Sequence, residues 1–376
     1  MIRTYAGNLL NLSLIRSFRM AFHGWPISQC QSSSTPLASQ LLGGIRVIDI
    51  RLAVIPPPKP SAPNATQNQE LIAYHGLWPQ KTPFTAILND VHKFLTSPTG
   101  SKETIVMSIK QEDFAVTPAP LFSQLVRDTI VRGPGGWGEA GAQNSGVNKG
   151  MWFLENRFPT LGEVRGKVVL LSRFGGNGDG WDGGLEGLGI HPTTWPDSDK
   201  NGFEWELKGT RVRTHDWYIY PFLANAVVLI STCRYGIPTF FSIPEKFQLA
   251  ATNLLLLPPD SLQPVLPITF FSAASIPFAF PPTVAKGFGW PKWGLGVEGV
   301  NSRLGAWLLG KLGESATDDA SKLHGPDEKQ RETVAEEPRI RGWSFLDYYS
   351  EPEGPDLIPL LVECNFRGRK SGEEGW

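Results

Sequence analysis

The chain has 376 residues and a formal net charge of −1, from 35 Lys and Arg against 36 Asp and Glu. This balance argues against a basic nucleic-acid-binding domain and against an acidic, solvated polymer. Gly (40) and Pro (32) together make about a fifth of the chain, above the usual share, and a hydrophobic fraction of 41% can fill a sizeable core. We therefore expect a globular, loop-rich protein rather than a helix bundle or a coiled coil.

The cysteines and the apolar stretches bound the class further. Cys30, Cys233 and Cys364 are too few for a disulfide framework, and no Cys or His spacing resembles a zinc site. The most apolar stretches, 222–230 and 265–280, are shorter than the ~20 residues of a membrane span, and no signal-peptide cleavage site follows the N-terminal apolar residues. We predict a soluble protein with no transmembrane segment, cytoplasmic or peripherally bound to a membrane.

Several short apolar segments end in a charged residue or a histidine and lead into loop-type sequence. The clearest is 44–52 (GIRVIDIRL), where the period of two places Asp49 and Arg51 on one face with Ile45 and Val47. The pattern recurs in four further segments, 71–75, 104–110, 167–174 and 343–349, whose polar residues are His75, Lys110, Arg173 and Asp347.

A helix is predicted between the second and third of these segments. Thr82 is a suitable N-cap, Pro83 suits the first helical position, and apolar residues recur at helical spacing until Ser97 and Pro98. Strands that alternate with helices indicate a mainly parallel sheet, and in a closed (β/α) barrel the C-terminal strand ends converge on one mouth. The polar strand ends would then form a site able to bind and cleave an anionic substrate.

Three segments interrupt this pattern. Residues 56–69 form a Pro-rich polar loop, and residues 219–242 are an apolar insertion. Residues 314–341 carry charges of both signs and few large apolar side chains, which is typical of a solvated or disordered insertion. We predict one domain over residues 1–376, with the barrel at about 12–366.

Six motifs occur in order along the chain: QLLGGIRVIDIRL (40–52), LIAYHGLW (71–78), TIVMSIKQE (104–112), GKVVLLSRFGG (166–176), RTHDWY (213–218) and WSFLDYYSEP (343–352). Together they resemble the X-domain family of phosphatidylinositol-specific phospholipases C, in its bacterial-type branch that also occurs in fungi. The resemblance implies an α/β fold, a distorted TIM barrel. It also implies cleavage of the diester between diacylglycerol and inositol through a cyclic inositol phosphate, with one histidine as base and a second as acid.

The resemblance assigns roles to eight residues. It implies that His75 is the general acid, that Arg51 meets the phosphate where metal-dependent relatives hold calcium ligands, that Asp49 fixes Arg51, and that Asp347 orients the base. It further implies that the inositol ring is held by Lys110, Arg173, Asp216 and Tyr218. Because Arg51 stands where metal-dependent relatives hold calcium ligands, the resemblance implies a site that needs neither a metal nor a cofactor. The implied partner is a phosphoinositide or glycerophosphoinositol substrate, with peripheral membrane contact, a monomeric state and no nucleic acid.

One motif of the family differs in this chain. Where the family carries its base histidine in a Gly-Thr-His-Asp/Asn segment, residues 15–19 read IRSFR. Either the true N-terminal segment is missing from a truncated or mispredicted product, or the protein is a pseudoenzyme that binds inositol phospholipid headgroups. Retention of the other predicted catalytic residues favours the first explanation, a truncated or mispredicted product.

Six tryptophans stand mostly in Gly- and Pro-rich loops: Trp137, Trp152, Trp181, Trp195, Trp290 and Trp293. Tryptophan favours the headgroup zone of a bilayer, so some of these side chains could form an interfacial rim for a lipid substrate. The alternative is that they anchor the loops to the barrel.

Overall fold

A computed structural model of the chain describes residues 36–55, 69–75, 78–112, 117–138, 150–175, 187–196, 198–217, 242–255, 265–273, 281–321, 340–352 and 356–367. The strands are β1 (Val47–Ile55), β2 (Glu70–His75), β3 (Trp78–Pro83), β4 (Thr104–Gln111), β5 (Trp152–Phe153), β6 (Lys167–Arg173), β7 (Phe203–Leu207), β8 (Thr210–His215), β9 (Val265–Phe270), β10 (Gly287–Trp290), β11 (Leu295–Glu298) and β12 (Trp343–Phe345). The helices are α1 (Leu37–Leu42), α2 (Phe84–Leu95), α3 (Ala119–Arg132), α4 (Ile243–Leu254), α5 (Pro281–Lys286), α6 (Val300–Ser321) and α7 (Leu357–Cys364), with 3₁₀ turns at Leu161–Val164 and Pro291–Trp293.

The larger sheet has the strand order β3-β2-β1-β4-β6-β5. Strands β1, β4, β6 and β5 run parallel to one another, whereas β2 is antiparallel to β1 and β3 is antiparallel to β2. The central strands β4 (TIVMSIKQ) and β6 (KVVLLSR) are apolar and almost wholly buried. Such continuous apolar runs are expected of parallel strands that are covered on both faces.

The two faces of this sheet pack against different partners. On the outer face, Ile105, Met107 and Ile109 of β4 share a core with Val91 of α2 and Phe122 of α3. On the inner face, the alternate residues of β4 and β6 share a second core with the other sheet. The period of two thus separates a helix-covered outside from an apolar inside, as in a (β/α) barrel.

The second sheet has the order β12-β9-β8-β7, in which β8, β9 and β12 are parallel and β7 is antiparallel to β8. Phe270 of β9 and Phe345 of β12 stack inside the molecule with ring centroids 4.2 Å apart. Helices α4, α5, α6 and α7 contribute to a third apolar cluster beside this sheet. Among the described residues no strand pairing joins the two sheets. The predicted α/β barrel class is confirmed, but the barrel is not closed.

Several local predictions need correction. The helix begins at Phe84 with Pro83 as its N-cap, because Thr82 belongs to β3, which pairs with β2 in a hairpin. The strand predicted over 343–349 ends at Phe345, so Asp347 stands in the loop that follows. The segment 314–341 was predicted to be a solvated or disordered insertion, but α6 continues into it as far as Ser321, as an extension of a helix whose first turns are buried at Val300, Leu304 and Leu308.

Other predictions fall outside the described residues. These include almost all of the two inserted loops, residues 322–339 of the charged segment and residues 15–19. At the end of the charged segment, Ile340 is buried and forms an antiparallel bridge with Leu255. None of the described helices combines the length and apolarity that crossing a membrane requires.

Candidate active site

Three cationic residues stand side by side on the inner face of the larger sheet. Arg51 of β1 is in register with Lys110 of β4, and Lys110 is in register with Arg173 of β6. Directly paired residues of parallel strands project to the same face, so the three side chains form one layer, near the point where the pairing of β1 with β4 and of β4 with β6 ends. The layer beneath holds Asp49 and Ser108, which are paired in the same way.

The Asp49 carboxylate is the acceptor that organises this layer. Its Oδ1 accepts hydrogen bonds from Ser108 Oγ at 2.7 Å and Arg173 Nη1 at 3.1 Å, and its Oδ2 accepts one from Arg51 Nε at 3.2 Å. Burial alone would raise the pKa of Asp49, but the charges of Arg173 and Arg51 and the Ser108 hydrogen bond lower it overall. Asp49 is therefore ionised at neutral pH and holds both arginines in place.

Arg173 lies inside the protein and spans the two sheets. Its side chain is 2% exposed, and its Nη2 donates to Asp216 Oδ2 at 3.1 Å, just beyond the end of β8. Trp195 Nε1 donates to the same Asp216 oxygen at 3.0 Å. The guanidinium also lies 4.2 Å from the Trp195 ring centroid and 4.9 Å from that of Phe270. A guanidinium enclosed in this way acts mainly by fixing the two carboxylates.

Arg51 and Lys110 are more accessible than Arg173. Arg51 Nη1 lies 3.5 Å from Glu112 Oε1, and the Arg51 side chain is 23% exposed. Lys110 is partly buried, and its pKa is lowered to about 8 by burial first and then by the positive charges of Arg51 and Arg173. The unequal exposure leaves Arg51 and Lys110 as the cations of this layer that solvent or a ligand can reach.

Asp347 faces this layer from the second sheet, across a cavity of about 930 Å³. The lining of this cavity includes Asp49 and Arg51 from β1, Phe270, Asp216 and Asp347, and the cavity extends along β1 to residues of α1, α2 and α7. Burial raises the pKa of Asp347 to about 8, against the opposing charge of Arg51. A carboxyl group with this pKa is largely protonated at neutral pH and can exchange a proton there.

The structure thus brings together Asp49, Arg51, Lys110, Arg173, Asp216 and Asp347 of the predicted site. His75 is the last residue of β2, two positions after Ala73, which pairs with Leu52 of β1. Because β2 runs antiparallel, this register carries His75 back along β1 towards Ile50, to the level of Asp49 and Arg51. The His75 side chain and Tyr218 lie outside the described residues.

Sequence reasoning missed three residues of the site and one buried charge near it. Ser108 and Glu112 could have been found from the same alternation, because each is two positions from Lys110. Ser108 lies within β4, and Glu112 directly follows the strand. Trp195 comes from the loop before β7, and no local pattern connects it with Asp216. Lys246 of α4 is 2% exposed, and its positive charge acts to lower the pKa values of Asp347 and His215.

An aromatic hairpin rises next to the site. Strands β10 and β11 pair with Gly287 opposite Glu298, and four apolar side chains of the strands and the turn between them are exposed by 53 to 83%: Phe288, Trp290, Trp293 and Leu295. At the base of the hairpin, Lys286 Nζ lies 2.5 Å from Glu351 Oε2 and 4.5 Å from the Tyr348 ring centroid. Tyr348 follows Asp347 directly, so the base of the hairpin is beside the mouth.

Solved structures of phosphatidylinositol-specific phospholipase C from Staphylococcus aureus share this fold. One, concerned with modulation of its membrane binding, has a TM-score of 0.53 and 19% identity, covering 90% of this chain and 85% of that chain. A pentafluoro-Phe form has a TM-score of 0.52 and 19% identity, covering 91% of this chain and 86% of that chain. A double mutant has a TM-score of 0.50 and 18% identity, covering 91% of this chain and 85% of that chain. No protein-family model matches the chain, and no curated protein matches it either. At this identity the likeness establishes the fold.

Proposed function

We propose that the chain is a phosphodiesterase of the phosphatidylinositol-specific phospholipase C kind, which cleaves the bond between glycerol and phosphoinositol through a cyclic inositol phosphate. The observation that carries the proposal is the register of Arg51, Lys110 and Arg173 across three parallel strands at one end of an open barrel. Likeness of fold to the Staphylococcus aureus enzyme supports it.

The electrostatics suit an anionic phosphodiester. Arg51 presents a planar fork of donors that matches two phosphate oxygens, and Asp49 fixes that fork from below. Lys110 stands beside it as a second cation. Preorganised cations that meet charge developing on phosphorus lower the barrier because they need not reorient during the reaction.

The remaining residues bind the inositol ring and transfer protons. Asp216, held by Arg173 and Trp195, offers carboxylate oxygens to ring hydroxyls. Asp347 stands on the opposite wall as a group that titrates near neutrality. His75, at the end of β2, supplies the proton to the departing glycerol oxygen in this proposal. Attack and departure occur on opposite sides of phosphorus, which is why proton-transferring groups are needed on both sides.

The aromatic hairpin supplies the contact with the lipid surface. A tryptophan that is 70% or 83% exposed leaves apolar area in water, and an amphipathic ring gains by moving to the headgroup zone. Trp290 and Trp293 extend from the mouth side, so docking of the hairpin would bring the cavity to the headgroups. We therefore propose peripheral binding to inositol-lipid membranes.

A direct assay tests the function. Glycerophosphoinositol and phosphatidylinositol vesicles are incubated with the full chain, and phosphorus NMR follows the product. We expect a cyclic inositol phosphate from both substrates. Arg51→Met should reduce kcat/KM by about 10²–10³-fold, the usual effect of losing one donor to transition-state charge. Arg211→Met, at the other end of β8 and paired with Glu204, is the matched control and should retain activity.

The negative results are informative in different ways. Binding of glycerophosphoinositol without cleavage by the full chain would favour the pseudoenzyme that carries only a headgroup pocket. The proposed function would be refuted if the full chain neither bound nor cleaved glycerophosphoinositol. Loss of activity on calcium chelation would contradict the role given to Arg51.

A further inference from the structure

Asn301 is a buried polar residue that connects the base of the aromatic hairpin with the loop that carries Asp347. It is the second residue of α6, three positions after β11 ends, and is 4% exposed. Its Nδ2 donates hydrogen bonds to three backbone carbonyl oxygens, those of Asp347 at 3.0 Å, Tyr348 at 2.8 Å and Glu351 at 2.9 Å. One side chain therefore holds the loop at Asp347 itself and at two later positions.

The chemistry of this contact suits a fixed loop. An amide nitrogen has two hydrogens to donate, and three carbonyl oxygens converge on it, so the nitrogen end of the side chain is the one that faces the loop. Buried carbonyl groups that lose their donor cost free energy. Asn301 itself stands on a rigid element, because Val300 and Leu304 of the same helix are fully buried in the third apolar cluster.

The loop needs such a contact because of the backbone of Tyr348. This residue directly follows Asp347 and has a φ of 49°, in the left-handed region that residues other than glycine rarely adopt. A residue stays in that region where its surroundings fix it. The Tyr348 carbonyl accepts hydrogen bonds from Asn301 and from the backbone N–H of Glu351, each at 2.8 Å. The direction of the chain on leaving Asp347 therefore depends on these bonds.

A second contact with the same loop is weaker. Lys286, at the other side of the hairpin base, pairs with Glu351 at 2.5 Å, but the two side chains are 33% and 39% exposed. Exposed ion pairs contribute little to stability. The Asn301 bonds are buried or partly buried, and one of them is made to the Asp347 carbonyl. Asn301 is therefore the stronger of the two contacts on the position of Asp347.

We propose that Asn301 is a positioning residue for Asp347: by holding the loop after β12, its side-chain amide keeps the Asp347 carboxyl group directed into the cavity. Asn301 acts through Asp347, which lines the cavity together with Arg51. The value of this position for proton transfer rests on the proposed function. Displacement of a reacting group by about 1 Å can cost about 10²-fold in rate.

The first test measures cleavage of soluble glycerophosphoinositol by the full chain. Asn301→Leu, which is similar in size but has no donor, should reduce kcat by about 10²-fold. KM should change little, because Arg51 and Lys110 are held by the other sheet. Asn301→Ser is a milder second variant, whose hydroxyl has one hydrogen and can serve one of the three carbonyls. It should fold even where the leucine variant does not, and it should show a smaller loss of kcat.

The second test observes Asp347 without any substrate. Carbon-13 NMR of aspartate-labelled protein follows the titration of its carboxyl group, which is identified by its loss in Asp347→Asn. In the unaltered chain burial raises its pKa to about 8, with Asp49 acting in the same direction and Arg51 and Lys246 against it. Asn301→Leu leaves these charged groups in place. A carboxyl group released towards water should therefore titrate at a lower pH.

Asn253→Leu is the matched control for both tests. Asn253 is 8% exposed, and its Nδ2 likewise donates to backbone carbonyls, those of Arg213 at 3.2 Å and Ile268 at 3.1 Å. Both leucine variants leave buried carbonyl groups without a donor and should unfold at a lower urea concentration. Only Asn301→Leu should change kcat and the titration of Asp347. Equal changes in Asn253→Leu would contradict a positioning role, because they would show a loosening of the whole fold.

The outcomes distinguish the two proposals. If the unaltered chain cleaves glycerophosphoinositol and the folded Asn301 variants match its kcat, the role of Asn301 is refuted and the phosphodiesterase function stands. If the unaltered chain cleaves no phosphoinositol diester at any pH, the proposed function fails. The NMR titration then decides separately whether Asn301 sets the position of Asp347, and an unchanged titration in Asn301→Leu would refute that as well.

Discussion

Arg173 Nη1 lies 3.1 Å from Asp49 Oδ1, although 124 positions separate the two residues in the chain. The same guanidinium reaches Asp216 through Nη2 at 3.1 Å, which connects β6 of one sheet with the end of β8 of the other. No strand pairing joins these sheets among the described residues. The polar layer inside the open barrel therefore holds its two halves together and sets the positions of both carboxylates.

Arg173→Met should strongly destabilise the protein. It removes a buried cation from between two carboxylates, and an uncompensated charge in the interior costs about 3–5 kcal/mol. Urea unfolding followed by circular dichroism measures the change in the free energy of unfolding.

Arg157→Met is the matched control for that experiment. Arg157 also joins two carboxylates, Glu155 at 2.5 Å and Glu163 at 2.7 Å, but its side chain is 31% exposed. Surface pairs contribute about 1 kcal/mol or less. Equal losses for the two variants would contradict the bridging role of Arg173.

Asp49→Asn should change how stability depends on pH. The pKa of Asp49 is lowered in the folded protein below its ordinary value of 3.8, so its ionised form stabilises the fold above that pH. This contribution is lost as the pH falls through the folded pKa. We expect Asp49→Asn to cost ~1.5–3 kcal/mol at neutral pH, the value of hydrogen bonds to a charged group. The difference from the unaltered chain should shrink in acid, and a constant difference would refute the assignment.

Asp347→Asn should have the opposite pH signature. Burial raises the pKa of Asp347 from 3.8 to about 8, so the folded state retains a proton that the unfolded chain releases. Its contribution to stability is complete below pH 3.8 and declines up to about pH 8, by at most ~1.4 kcal/mol per pH unit for one proton.

The variant should therefore show a flatter profile of unfolding free energy between these limits. Above about pH 7 the neutralised Lys246 contributes in the opposite direction, so the slope below neutrality is the one to compare. An unchanged slope in Asp347→Asn would show that this carboxyl group ionises normally.

Much of the site could be predicted from alternation along single strands. The pattern GIRVIDIRL correctly places Asp49 and Arg51 on one face, and their hydrogen bond at 3.2 Å follows from that period. The alignment of Lys110 with Arg51 and of Arg173 with Lys110 follows from the parallel pairing of β1 with β4 and of β4 with β6. These features are local or depend on simple strand succession.

The remainder depends on contacts between distant segments. A lysine in the first turn of α4, next to the exposed Glu245, has the local pattern of a solvated residue, and only the packing of that helix near β8 buries Lys246. The antiparallel direction of β2 depends on its pairing with β1, where Leu52 faces Ala73. Neither tertiary contact leaves a signal in the neighbouring sequence.

The double variant Trp290→Ala/Trp293→Ala should separate lipid docking from catalysis. The two rings are 70% and 83% exposed, so their removal costs little folding stability, while each ring that enters the headgroup zone supplies apolar contact with the membrane. We expect weaker sedimentation with phosphatidylinositol-containing vesicles and slower cleavage of their lipid. Cleavage of soluble glycerophosphoinositol should remain unchanged, because the hairpin lies beside the mouth and none of its described side chains lines the cavity.

Phe366→Ala provides the matched control for this variant. Phe366 is 63% exposed, but it follows α7, whose C-terminal residue Cys364 accepts a hydrogen bond from Arg341 at the start of β12. Phe366 does line the cavity, but beside the start of β12 and away from the C-terminal strand ends, so its removal should leave vesicle binding intact. Equal loss of binding in both variants would mean that any exposed aromatic residue adheres to lipid. Unchanged binding in the tryptophan variant would exclude the hairpin as the docking surface.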